Sequence, residues 1–94
     1  EDVARVMSTD YSYGRQPALD RFVPPALARL LCAAGDCVVT AEFTPVEPGA
    51  LEYKYYARGI GLFLEVDPKS GDTVRLLECN VDSRCAGLAA LAQR

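Results

Sequence analysis

Apolar and polar residues alternate along the middle of the chain. Cys37, Val39, Ala41 and Phe43 share one side of their run, and Leu51, Tyr53 and Tyr55 share one side of the next. Ile60, Leu62, Leu64 and Val66 repeat the pattern, and Val74 and Leu76 open a fourth run. A period of two carried by β-branched and aromatic residues marks half-buried strands. The expected strands are 37–43, 50–57, 60–66 and 73–79. Between them lie Thr44–Gly49, Arg58-Gly59 and Asp67–Gly71, each rich in Pro or Gly and each a turn. The fold class is therefore α+β, mainly β, built on a four-stranded antiparallel meander.

Turn lengths fix a register that can be checked against the apolar faces, because a slip of one residue reverses a strand. Phe43 is expected opposite Leu51 and Ala41 opposite Tyr53. A two-residue turn at Arg58-Gly59 sets Tyr55 opposite Leu62, Tyr53 opposite Leu64 and Tyr56 opposite Gly61. A five-residue turn at 67–71 sets Leu64 opposite Val74 and Leu62 opposite Leu76. On the outer side Glu52 then meets Glu65, an unfavourable pair that Arg75, opposite Phe63, would screen.

The flanks are patterned differently. Leu27, Leu30, Leu31 and Ala34 form a helical stripe over residues 25–34, with Pro25 in its first turn and Gly35 after its end. Asp82 or Ser83 is placed to start a short C-terminal helix through Leu88 and Leu91. The opening Glu1–Thr9, with Val3, Val6 and Met7 apolar, fits a short helix or the lead-in to a strand.

At 94 residues the chain allows one small domain, 1–94, either whole or a piece of a larger β-rich domain. Ten Lys and Arg against thirteen Asp and Glu give a net charge of −3, which argues against nucleic acid or an anionic membrane as partner. No apolar run reaches the length of a membrane span, and Glu1-Asp2 does not open a signal peptide. Histidine is absent, so Ser-His and Cys-His nucleophile pairs and imidazole metal sites are not available.

Four cysteines, Cys32, Cys37, Cys79 and Cys85, allow three disulfide pairings, and free thiols or a single zinc are the alternatives. The spacings Cys-x4-Cys and Cys-x5-Cys are wider than those usual for zinc, so no metal and no cofactor is assigned. Tyr53, Tyr55 and Tyr56, with Lys54 among them, are the candidate ligand-binding residues. Arg58-Gly-Ile-Gly61 leads into a strand and so lacks the helix N-terminus of a phosphate loop.

The stretch TAEFTPVEPGALEYKYYARGIGLFLEVD, residues 40–67, resembles the C-terminal part of a family of bacterial secreted or envelope-associated β-rich proteins. Their pattern reads T-x-E-[FW]-T-P-L-E-P-G-V-V-E-x-K-Y-Y-A-x-G-V-G-L-V-L-E. The opening Glu1–Asp10 is also similar to the segment before this sheet, and the match is specific over about residues 37–78. The resemblance implies a β fold and a secreted or periplasmic setting, and no reaction. Family members usually carry a longer β-rich portion upstream, and a strand with a Gly turn where this chain has the Pro- and Leu-rich 11–36.

These readings converge on a non-catalytic extracytoplasmic β-sheet domain that associates with another protein, with an envelope component or with itself. The alternative is a curved sheet that binds a small ligand in a tyrosine-lined pocket.

Overall fold

The computed structural model describes residues 3–43, 47 and 49–92. Five antiparallel strands lie side by side in chain order: β1 (Val3–Tyr11), β2 (Cys37–Phe43), β3 (Leu51–Ala57), β4 (Gly61–Val66) and β5 (Thr73–Arg75). The helices are α1 (Pro17–Asp20), α2 (Pro25–Leu31) and α3 (Cys85–Ala92). The expected meander is therefore one strand short, because the opening segment is a strand that pairs with β2 along the sheet edge. Register breaks between Val6 and Ser8 and between Ser8 and Tyr11 interrupt its alternation. Each such bulge adds an unpaired residue and turns the strand. Most of the Pro/Gly loop expected at 44–49 lies outside the described residues.

Phe43 faces Leu51 and Ala41 faces Tyr53, as the turn arithmetic requires. The next hairpin departs from it. Tyr55 faces Leu64 and Tyr53 faces Val66, two places from the expected partners. One cause is a three-residue turn, Arg58–Ile60, closed by the Ile60 N–H donating to the Ala57 carbonyl at 3.1 Å. The other is a bulge. Tyr55 pairs with Leu64 but Tyr56 pairs with Leu62, which leaves Phe63 without a partner. Phe63 and Leu64 both turn inward as a result, and Leu62, expected in the buried face, lies outside. Phe63 is 1% exposed and Leu62 38%.

The last hairpin is shifted by one. Leu64 faces Arg75 and Glu65 faces Val74, so Val74 points outward and is 68% exposed rather than buried. The Asp67 carboxylate explains the shift. It accepts the N–H groups of Lys69 (2.8 Å) and Ser70 (3.2 Å). The Asp67 N–H in turn donates to the Asp72 carbonyl at 2.9 Å, so the loop closes on six residues, 67–72, instead of five. Those donated N–H groups hold the Asp67 carboxyl below its ordinary pKa. β5 ends at Arg75 rather than 79, although Leu76 still packs against the core.

All three helices contribute to the cover of one sheet face. Leu19, Val23, Leu27, Leu31 and Leu88 meet Tyr11, Val39, Tyr55, Phe63, Leu64 and Val66 in one buried cluster. α2 starts at Pro25 but stops at Leu31, not Ala34. Cys32 leaves helical geometry with φ −124°, and its carbonyl accepts the Tyr13 N–H at 3.2 Å. α3 follows Asp82, whose carboxylate accepts the Arg84 N–H at 2.9 Å and whose carbonyl accepts the Cys85 N–H at 3.1 Å.

Gly59 sits at φ +82°, and a Cβ there would lie 3.2 Å from Asp82 Oδ2. Gly59→Val is expected to lose at least about 1–2 kcal/mol, because a β-branched residue is strained at positive φ. Thermal unfolding checks this, and an unchanged Tm would contradict the turn.

Candidate functional site

The four candidate ligand residues lie on one strand, and a strand alternates. β3 sends Tyr53 and Tyr55 to the covered face and Lys54 and Tyr56 to the open one. Tyr55 is fully buried, and its hydroxyl donates to the Leu19 carbonyl at 2.6 Å. Its ring packs edge-on against Tyr11 (5.7 Å between centroids) and Phe63 (6.2 Å). Burial pushes the Tyr55 phenol well above its ordinary pKa. Tyr53 packs edge-on against Phe22 at 5.2 Å. The structure thus joins Lys54 with Tyr56, and uses Tyr53 and Tyr55 as packing inside the domain.

On the open face the pairings set one row across all five strands: Val6, Thr40, Lys54, Glu65 and Val74. Lys54 stands at its centre, with its Nζ 3.1 Å from Glu42 and 3.8 Å from Glu65. Glu65 therefore faces a lysine instead of Glu52, and Glu52 faces Glu42. Burial and then a hydrogen bond with Glu65 raise the Glu52 carboxyl above its ordinary pKa. The hydrogen bond to Glu42 raises Lys54. Arg75 does not screen these carboxylates, because its pairing with Leu64 places it on the covered side.

A shallow cleft of about 270 Å³ lies beside this network, lined by Glu42, Phe43, Leu51, Glu52, Lys54 and Asp67. Lys54 is the one candidate ligand residue among its walls. Lys54 stands there against the carboxyls of Glu42, Glu52 and Glu65, so the network carries an excess of acidic groups.

The cysteines pair locally. Cys32 bonds Cys37 and Cys79 bonds Cys85, with Cα–Cα distances of 5.5 and 5.2 Å. Of the three possible pairings this one ties the end of α2 to the start of β2, and the stretch after β5 to the start of α3. Among the described residues no group of three or more His, Cys, Asp or Glu is placed to hold a metal ion. Two disulfides in so small a domain are compatible with an oxidising, extracytoplasmic compartment. No described helix is long and apolar enough to cross a membrane.

Which backbone groups the β5 edge presents was not legible in the sequence. In the β4–β5 pair the Leu76 N–H donates to Phe63 and the Asp67 N–H to Asp72. In an antiparallel ladder bonded and non-bonded pairs alternate. The backbone N–H and C=O of Thr73 and Arg75 therefore point away from β4, toward the free edge. Among the described residues nothing hydrogen-bonds the Arg75 Nε, which is itself buried. The only sequence signal for this was the register of β5, and that hung on one residue of loop length. Comparison of the chain with family models, curated proteins and solved structures finds no match.

Proposed function

We propose that the chain is a non-catalytic, extracytoplasmic β-sheet domain that associates with another protein or an envelope component. The observation that carries this reading is the contrast between its two kinds of surface. The covered face is packed with Tyr55, Phe63, Leu27, Leu31 and Leu88, each at most 1% exposed. The edges and their surroundings are unfilled, with Val6, Val74, Leu77 and Val81 exposed. Unpaired strand edges beside exposed apolar residues are what a protein partner can use. The two disulfides support a location outside the cytosol.

A photo-cross-linking side chain placed at Val6 or Val74, in cells of the source organism, is expected to give a discrete adduct in the envelope or secreted fraction. The recovered protein is expected to show no free thiol by mass. Absence of adducts at both positions, or a fully reduced protein, would overturn this reading. A small-ligand role has one observation in its favour, the cleft at Lys54. Tyr53 and Tyr55, however, are taken up by packing and do not line it.

A further inference from the structure

We infer that the β5 edge takes an added strand from a partner protein, with a carboxylate side chain of that strand held by Arg75. The inference rests on the partner-binding reading above and names the chemistry of the partner.

Three observations meet at this edge. The backbone donors and acceptors of Thr73 and Arg75 face outward, spaced for ladder bonds to one more antiparallel strand. Arg75 has no ion-pair or hydrogen-bond partner for its buried Nε among the described residues. A guanidinium so placed favours a planar carboxylate over any neutral group. Beside it is a groove of about 220 Å³, whose walls include Leu62, Phe63, Val74, Arg75 and Leu76. That is room for roughly seven atoms of methylene or water size. The occupant these features describe is an extended peptide with Asp or Glu opposite Arg75 and an aliphatic residue opposite Val74. Main-chain bonds would supply affinity, and the two side chains would supply choice.

A second copy of this chain fits the edge less well. Arg5 on β1 pairs with Ala41, and Arg75 on β5 pairs with Leu64, so both outer strands carry arginine on the covered side. Pairing of two β5 strands about Val74 sets Arg75 opposite Thr73, and neither strand offers the guanidinium a carboxylate.

The probe is the peptide acetyl-Val-Glu-Ile-Thr-Val-amide, titrated into the oxidised 94-residue chain and followed by amide NMR. The expected result is shifts centred on residues 73–75, with slowed amide exchange at Thr73 and Arg75. The same peptide with Gln for Glu is expected to bind about tenfold more weakly, the loss of one charge-assisted bond. Arg75→Gln should abolish that discrimination, and Arg75→Glu should move the preference to a peptide with Lys at that position. Equal affinity for the Glu and Gln peptides overturns the inference, as do shifts confined to β1. So does an Arg75→Gln protein that self-associates while neither protein binds the peptide, which would make Arg75 a guard against aggregation. Cross-linking at Val6 without any at Val74 would remove this inference and leave the partner-binding reading standing. Absence of adducts at both positions would remove both.

Discussion

Phe63→Ala is expected to destabilise the domain by about 3–5 kcal/mol, whereas Leu62→Ala is expected to cost less than about 1 kcal/mol. The two neighbours differ because of a single bulge. A regular strand would put Leu62 and Leu64 inside and Phe63 outside. The unpaired position of β4 exchanges Leu62 and Phe63 while Leu64 stays inside, and Phe63 packs against Tyr55. Removing its ring leaves a cavity among residues that the helices hold in place, so transfer and cavity costs add. For a domain of this size each kcal/mol lowers Tm by roughly 4–8 °C. Thermal unfolding of the two variants separates the bulged register from the regular one. A larger loss for Leu62→Ala than for Phe63→Ala would show that the bulge is misplaced.

The second large effect is expected from the disulfide nearest the core. Replacing Cys32 and Cys37 together by Ala is expected to cost about 2–5 kcal/mol, as for native bridges of small secreted domains. Both sulfurs are buried, so the loss combines a freed unfolded chain with vacated core volume. The Cys79–Cys85 bridge closes a loop of similar length, but Cys79 is only partly buried. Its removal is expected to cost less, near the roughly 2 kcal/mol that loop closure alone supplies. Equilibrium unfolding in denaturant ranks the two, and the reverse order would mean that Cys32 and Cys37 add no packing. A thiol count on protein folded without reductant should give none free.

Much of the fold could be read because alternation is local. β2 and β3 have no interruption in Cys37–Phe43 or Leu51–Ala57, and their pairing follows from the pattern alone. β1 could not be identified, since its two bulges leave Val3, Val6, Met7 and Tyr11 in neither a helical nor a strand period. The inward position of Phe63 was hidden for the same reason. The β5 register turned on Asp67, whose carboxylate captures two N–H groups and lengthens the loop by one. That one residue exchanged the roles of Val74 and Arg75. The separation of Tyr53 and Tyr55 from Lys54 and Tyr56 was written in the alternation itself, yet which face the helices cover was not. The cysteine pairing required knowing that α2 breaks at Cys32 and that α3 begins at Cys85.

The order of strands in the sheet has a kinetic consequence. β2 through β5 are joined by short connections, so each can zip onto its neighbour as soon as a turn forms. β1 is separated from β2 by residues 12–36, the same stretch that carries α1 and α2. Closing that long span costs entropy before any contact repays it. Annealing of the first strand and capping of the core by these helices are therefore expected to follow the zipping of the meander. Until both complete, the nascent meander displays both a bare hydrophobic face and the unsatisfied side of β2, and it is then that the polypeptide is most exposed to misassembly.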